Sequence, residues 1–319
     1  MLSRSYVKTL SSWWLAVVLP AFVGLGSSAL VVRGFGFYGW SLFVGLPILV
    51  STLSAFLWCL EPSRSFRSAY GIAFLSVLLL GIMLLFIAID GLVCLAMALP
   101  LAAALCLPGA ALGRYLARRA SSRRGTSTLP CLFIALFPGV AGFDAATQSS
   151  PQMRAVRTSV LIRAPADQVW QAVTAFPPIT TPPAGIFRFG FAFPIRAHIS
   201  GAGVGATRHC TFSTGSFVEP ITAWEPPTLL SFDVTSSPEP MQEFSPYRDF
   251  HAPHLNHYMV SRRGEFRIRQ AGADVILEGT TWYTHSIAPQ WYWGPISDYI
   301  IHRIHERVLT HIKKVAEGT

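Results

Sequence analysis

The sequence predicts two parts of different fold class: an all-α membrane-spanning bundle, then an α+β domain in which a curved antiparallel sheet surrounds a long C-terminal helix. Three observations lead to this prediction. Long uncharged apolar runs fill most of residues 1–144, and residues 156–285 read as short strands separated by turn residues. Residues 295–316 then carry apolar side chains at helical spacing, Ile296, Ile300, Ile304, Val308, Ile312 and Val315.

The composition agrees with a membrane-embedded first part. The chain is 51% hydrophobic and only 13% charged, whereas the charged share of soluble proteins is roughly 25%. Residues 1–144 contain ten basic and three acidic side chains, a net charge of +7, which leaves +2 of the chain's +9 for the remainder. No basic face with interleaved aromatic residues occurs in the second part, so we expect no nucleic-acid partner.

Four apolar runs have about the length of a spanning helix, residues 13–32, 37–60, 70–89 and 92–112. Trp13 and Trp14 are placed for the membrane interface. The first run has the alternative of a signal peptide, but no small-residue cleavage pattern closes it and further spans follow. Asp90 and Gly91, between the third and fourth runs, are typical of a turn; the alternative is an intramembrane acid of functional importance.

Arginine positions predict the orientation. Arg64, Arg67 and the cluster in residues 114–124 place those flanks and the N-terminus in the cytoplasm, and the loops holding Arg33 and Asp90 outside. Residues 129–143 cover only about 22 Å of a roughly 30 Å hydrocarbon core, so they form either a fifth crossing or a re-entrant segment. We expect an integral protein of a bacterial-type inner membrane. Its second domain is extracytoplasmic with five crossings and cytoplasmic with four.

Residues 145–155 are small, polar and Pro-containing, as in a linker, and a second domain follows at 156–319. Its first strand places Val156, Thr158, Val160 and Ile162 on one face. A helix opens at Pro165 and ends before the prolines of residues 177–183. Strands are predicted at 195–199, 206–213, 216–225 and 229–235, then a Pro-, His- and Tyr-rich insertion at 238–258, and a hairpin of 261–270 with 274–285 before the final helix.

Several motifs of this part resemble the START/polyketide-cyclase-like superfamily, also called SRPBCC or helix-grip: VLIRAPADQVWQAV, WEPP followed by LLSF, GEFRI and LEGTTWY. The resemblance covers residues 156–316. It implies a curved sheet wrapped on the terminal helix with an apolar cavity between them. Members of the superfamily bind lipids, sterols, polyketides or plant hormones, and a few are cyclases or hydrolases. This chain departs from the pattern in lacking a clear second helix after Phe176, in the 238–258 insertion and in its membrane part.

Aromatic residues on elements expected to face the cavity are the candidates for ligand contact. The alternative is that they only fill the core. They are Trp170, Phe212, Phe232, Phe266, Trp282, Tyr283 and Tyr299.

Polar residues give less specific signals. No G-x-S-x-G elbow occurs, and His209, Glu219 and His285, with Glu265 and Glu278, are catalytic candidates only if their strands point them into the cavity. Otherwise they are rim or solvent-facing residues. His302 and His305 read as helix-surface or cavity-rim residues, and the glycines of residues 201–205 as a tight turn between strands. Four residues of types that ligate metals lie close together in one loop: Asp249, His251, His254 and His257. Because Pro253 interrupts this loop, we expect no metal and no cofactor there.

The leading hypothesis is a membrane-anchored, non-catalytic binding or transfer module whose partners are membrane lipids and an apolar small molecule, with a lipid as the expected ligand. The first alternative is a cyclase-like or hydrolytic enzyme using a cavity histidine or glutamate. The second is a membrane sensor that recognises a protein partner, for which Trp291, Tyr292 and Trp293 would form the interface. The sequence leaves the oligomeric state open.

Overall fold

The computed structural model describes residues 11–122, 129–147, 151–247, 255 and 258–319. The chain divides into two compact units. Unit 1 comprises Met1–Ser149, Glu243–His254 and Ile287–Pro289; unit 2 comprises Ser150–Gln242, Leu255–Ser286 and Gln290–Thr319. The chain therefore returns twice to unit 1 after the first strand of unit 2.

Unit 1 is a helical bundle. Helix α1 (Trp13–Ala29) continues as a π-helical turn (Leu30–Phe35), and a second π-helical turn (Ser41–Gly45) leads into α2 (Leu46–Trp58). Helices α3 (Phe66–Phe86), α4 (Leu92–Ser122) and α5 (Leu129–Ala146) follow. In the described part of the chain four helical segments are long and apolar enough to cross a membrane: Trp13–Phe35, Ser41–Trp58, Phe66–Phe86 and Leu92–Ala120. These segments correspond to the four predicted spans, and they are compatible with membrane insertion.

Local hydrogen bonding explains the shifted boundaries. Helix α3 begins at residue 66 instead of 70 because the Ser65 hydroxyl accepts the backbone N–H of Ser68 at 3.1 Å and so caps the helix. Asp90 and Gly91 lie between α3 and α4, as predicted for a turn. The last helix, α5, has 18 residues and is therefore about 27 Å long, longer than its apolar run indicates.

Unit 1 has two ends that several contacts define. At the first, here called the Asp90 end, Arg33 donates to the Ile87 carbonyl at 3.4 Å. The Asp144 carboxylate accepts the Ser41 N–H at 2.7 Å. The returning segments lie here too, because the Phe244 carbonyl accepts from Leu92 (3.0 Å) and the Tyr38 carbonyl from Ala288 (3.1 Å).

At the opposite end, here called the Arg64 end, the Arg64 guanidinium lies 3.8 Å from the centre of the Trp58 ring. Leu116 and Ala117 of α4 pack in one cluster with Trp58 and Cys59. The start of α1 lies here as well, because Trp13, Trp58 and Arg64 border one surface pocket. Helix α4 therefore runs from the Asp90 end to the Arg64 end.

Unit 2 is a seven-stranded antiparallel sheet around a long helix. In chain order it contains β1 (Met153–Ile162), α6 (Ala166–Ala175), β2 (Pro194–Ser200), β3 (Thr207–Phe212), β4 (Gly215–Glu225), β5 (Leu229–Asp233), β6 (Met259–Ala271), β7 (Asp274–His285) and α7 (Gln290–Glu317). The sheet order is β1-β7-β6-β5-β4-β3-β2. This is the helix-grip architecture that the sequence predicts.

Most of the apolar stripe of α7 packs on the sheet as expected from its spacing, whereas Val315, the last predicted member, is 40% exposed. Val308, Leu309 and Ile312 belong to the same buried core as Leu230 and Leu277 of the sheet. The helix begins at Gln290, so Pro295 lies within it and not in its first turn. After Phe176 only a short 3-10 turn, Gly185–Phe189, is present where the superfamily pattern has a second helix.

Candidate functional site

A cavity of about 120 Å³ lies between the concave face of the sheet and α7. Its walls are mainly apolar and come from β3 to β7 and from the middle of the helix. This volume is well below the 300–1,000 Å³ of typical ligand pockets. It is close to the roughly 150 Å³ of an engineered apolar cavity that binds benzene in another protein. The apolar lining includes Cys210, Phe212, Phe217, Phe232, Phe266, Ile300, Ile304 and Val308.

One ion pair is buried in the cavity wall. Arg208 of β3 and Glu219 of β4 are directly opposite in register, and a guanidinium N–H donates to the Glu219 carboxylate. The two residues are 3% and 5% exposed. The guanidinium carbon also lies 5.0 Å from the centre of the Phe232 ring and 5.6 Å from that of Phe266, which is cation–π distance.

Burial and pairing act against each other in this pair. Burial raises the pKa of the Glu219 carboxyl, and the adjacent Arg208 opposes that rise. Among the described residues the Nε atom of Arg208 has no hydrogen-bond partner. A buried N–H without a partner costs about 1–3 kcal/mol, so an acceptor brought by a ligand would relieve that cost.

The other titratable groups on the cavity wall have partners. Glu265 accepts hydrogen bonds from Ser231 at 3.1 Å and from Arg267 at 3.0 Å. The two ring nitrogens of His305 lie 3.1 Å from the Thr158 hydroxyl and 2.8 Å from the Thr281 hydroxyl. Burial lowers the pKa of His305 to about 4, so its ring is neutral at pH 7. These hydrogen bonds hold both side chains in place.

Three of the seven predicted aromatic residues, Phe212, Phe232 and Phe266, line this cavity. Glycine makes room for one of them, because a Cβ atom on Gly264 would come within 2.3 Å of the Phe232 ring. The others lie elsewhere: Trp170 packs edge-on against Trp224 in the core, Trp282 lies under the Arg263 guanidinium, Tyr283 is fully buried and Tyr299 is 54% exposed.

Strand register separates the predicted catalytic candidates. Glu219 faces the cavity. His209 lies between Arg208 and Cys210 on β3 and therefore on the opposite face, where its ring stacks on that of His198 at 5.0 Å. Glu278 likewise pairs with surface arginines, at 3.2 Å from Arg157. The catalytic roles remain predictions.

His285 is 1% exposed and does not line the cavity. Burial lowers its pKa to about 4, with a further contribution from Arg154. Close to it lies a network that sequence reasoning missed, in which the Tyr283 hydroxyl donates to Asp298 at 2.7 Å and Arg154 donates to both. Although burial acts to raise the pKa of Asp298, these hydrogen bonds hold it below its usual range. The three residues of this network come from β1, β7 and α7, so no local sequence pattern predicts that they meet.

Among the residues of unit 1 that the structure describes, one cluster has metal-ligand types, Asp90, Cys94 and Glu243, whose ligand atoms lie within 4.8 Å of one another. The Glu243 carboxylate accepts the backbone N–H groups of Val93 and Cys94, both at 3.0 Å. It therefore caps the N-terminus of α4, where a negative charge is favoured. The loop candidates of the sequence prediction, Asp249, His251, His254 and His257, lie outside the described residues.

No protein-family model matches the sequence, and no curated protein is similar to it at a significant level. Solved structures resemble about half of the chain. Norcoclaurine synthase from Thalictrum flavum is 14% identical over 53% of this chain and 96% of its own, with a TM-score of 0.35. The Zhui aromatase/cyclase from Streptomyces sp. R1128 is 16% identical over 52% of this chain and 94% of its own, with a TM-score of 0.34. The Aha1 dimer from Colwellia psychrerythraea is 15% identical over 51% of this chain and 96% of its own, with a TM-score of 0.30. These likenesses concern the fold alone.

Proposed function

We propose that the chain is a membrane-anchored binding protein whose helix-grip cavity holds an apolar ligand bearing one hydrogen-bond acceptor. The observation that supports this most directly is the unpartnered Nε–H of Arg208 in an otherwise apolar wall. An acceptor on the ligand would pair with it, and the aromatic rings around it would contact the apolar remainder. Ligand pockets commonly combine apolar walls with a few placed polar groups.

Binding explains the wall better than catalysis does. A general base needs a pKa near the working pH and access to a substrate proton. His305 has both nitrogens at threonine hydroxyls and a pKa of about 4, and Glu265 is held by Ser231 and Arg267. Glu219 also faces the cavity, but its carboxylate accepts the hydrogen bond from Arg208. Each of these three groups therefore already has a partner in the wall, which favours the positioning of a ligand over proton transfer.

Two ligand sizes deserve separate tests. The membrane anchor favours a lipid such as a fatty acid, whereas a cavity of about 120 Å³ favours a compact ring. We would expose the full chain in nanodiscs to two diazirine probes, a photoactivatable palmitate and a photoactivatable benzoate. Each probe carries a carboxylate that can accept the hydrogen bond of the Arg208 Nε–H group.

Cross-linked peptides should come from β3, β4 and β6. Ile304→Trp fills the cavity from α7 and should abolish those adducts, while Tyr299→Trp, on the exposed face of the same helix, should leave them. Adducts from palmitate alone would identify a lipid ligand, and adducts from benzoate alone a compact one. Equal labelling of both variants, or no adducts in these strands, would refute a binding cavity.

We further propose that α5 crosses the membrane as a fifth span and that unit 2 is therefore extracytoplasmic. Helix α4 ends at the Arg64 end, and α5 ends at the Asp90 end, where Asp144 accepts from Ser41. A helix of 18 residues is about 27 Å long, which nearly spans the hydrocarbon core. Five arginines lie towards the Arg64 end, which supports a cytoplasmic location for that end: Arg64, Arg67, Arg114, Arg118 and Arg119.

The returning segments support the same side. Residues 243–247 and 287–289 lie at the Asp90 end of unit 1, and their neighbours in sequence belong to unit 2, which supports the proposed side. Alkaline phosphatase fused after Thr319 should be active and green fluorescent protein dark, with the reverse for fusions after Ser122. A fluorescent fusion after Thr319 would show that α5 does not cross.

A further inference from the structure

A second apolar cavity lies within unit 1 and is independent of the ligand cavity in unit 2. It has a volume of about 280 Å³ and is lined by all four spans. Its lining is almost wholly aliphatic, and Asp90 stands at one end of it. Ile82 and Leu92, both in the lining, are 52% and 51% exposed, so the cavity is a groove that opens sideways.

The groove has the length of one membrane leaflet. It follows α3 over residues 77–85 and α4 over residues 92–102, which is roughly 15 Å at 1.5 Å per residue. Half of a hydrocarbon core of about 30 Å is the same distance. Its polar end is the Asp90 end of the bundle, where a lipid of the leaflet on that side would have its head group.

Two further features distinguish this groove from ordinary helix packing. Val32 belongs to the first π-helical turn and Leu42 and Phe43 to the second, and all three line it. Single π-helical turns occur frequently at functional sites. The groove also contains Gly81, at which an added Cβ atom would meet nothing within 4 Å. The helices thus leave space here that a small residue keeps open.

We propose that this groove binds a single hydrocarbon chain of a lipid whose head group carries a hydrogen-bond donor, a hydroxyl or an amine, directed at the Asp90 carboxyl. The chain would lie between α3 and α4 along the aliphatic lining. The Asp90 carboxylate accepts the Gly91 N–H at 3.0 Å, and a carboxylate has acceptor capacity for more than one donor.

Gly81→Leu is the direct test, because Gly81 lines the groove and a side chain added there starts with no other atom within 4 Å of its Cβ. Gly71→Leu is the matched control: it lies on the same helix, also has nothing within 4 Å of an added Cβ atom, and does not line the groove. Both changes raise helix propensity, so neither is expected to unfold α3.

The full chain in nanodiscs would be cross-linked with a photoactivatable monoacylglycerol, which has a hydroxyl head group, and with a photoactivatable palmitate. The wild-type chain should give monoacylglycerol adducts concentrated in residues 77–85 and 92–102. Gly81→Leu should reduce them at least tenfold and Gly71→Leu should not. Asp90→Asn should lower the preference for monoacylglycerol over palmitate by about tenfold, because the amide that replaces the carboxyl is a weaker acceptor for the hydroxyl head group.

Adducts spread evenly over the lipid-facing sides of all spans would mean ordinary surrounding lipid and would overturn the proposal. Equal labelling of the Gly81 and Gly71 variants would do the same. The wild-type adduct map decides the matter even if a variant fails to fold. Because it is read from α3 and α4, it is also independent of whether the cavity in unit 2 binds a ligand.

Discussion

Removing the arginine of the buried Arg208–Glu219 pair is expected to destabilise unit 2 strongly. Arg208→Met leaves the Glu219 carboxyl 5% exposed in an apolar wall with its charge partner gone. Loss of one member of a buried pair costs about 3–5 kcal/mol. With a urea m-value of about 2 kcal/mol/M, the unfolding midpoint should fall by roughly 2 M.

Two comparisons separate the buried pair from the loss of the side chain alone. The double variant Arg208→Met/Glu219→Leu replaces both charges by apolar groups and should unfold within about 1 kcal/mol of the wild type, or at higher urea. Arg157→Met makes the same substitution in a pair whose arginine side chain is 64% exposed. It should cost less than about 1 kcal/mol, because water screens that pair.

Cys210 provides an assay within the full chain in mild detergent. It is 4% exposed, and burial raises the pKa of its thiol to about 11, so the folded thiol is almost unreactive at pH 7. Maleimide labelling of the Cys210 peptide against urea, scaled to the fully unfolded rate of each variant, follows unit 2 alone. Equal shifts for Arg208→Met and Arg157→Met, or a double variant as unstable as the single, would refute the reasoning.

Three other predictions follow from single contacts. Gly264→Ala should lower the stability of unit 2 by about 1–3 kcal/mol through overpacking against Phe232, as measured by the same labelling. In the control Gly272→Ala, in the β6–β7 turn, the added Cβ atom has nothing within 4 Å, so any loss of stability there comes from the positive φ of that residue and not from overpacking. The free energy of unfolding should fall as the pH drops from 6.5 to 4, by up to about 3 kcal/mol for His305. The unfolded histidine takes up a proton in this range and the folded one does not, so His305→Gln should reduce the dependence of the melting temperature on pH. The dependence that remains is expected from His285, whose pKa burial also lowers to about 4. Glu243→Gln should weaken the cap of α4 by about 0.5–2 kcal/mol, and hydrogen exchange at Val93 and Cys94 should rise; unchanged exchange would contradict the capping role.

The fold followed from short-range patterns. Four apolar runs predicted four long helices, because burying or embedding a helix requires apolar residues over its whole length. The alternation of Val156, Thr158, Val160 and Ile162 correctly predicted the inner face of β1. The spacing of Val308 and Ile312 likewise predicted the face of α7 that packs on the sheet.

The site was only partly predictable. Phe212, Phe232 and Phe266 were expected at the cavity and line it. Arg208 was not singled out, although it stands beside the candidate His209. A change of one position on a strand moves a side chain to the other face. Which residues of β3 face inwards depends on its pairing with β2 and β4, and turn residues do not specify that pairing by themselves.

The sequence by itself determined the class of both parts, the approximate spans and the apolar nature of the cavity, because each depends on periodicity over a few residues. Tertiary structure alone decided that Arg208 pairs with Glu219, that Asp144 meets Ser41, and that Glu243 caps a helix 150 residues before it in the chain. These contacts join polar groups far apart in sequence, and burial makes them energetically important. Local patterns carry no information about such partners, since only the completed packing determines which buried polar groups face one another.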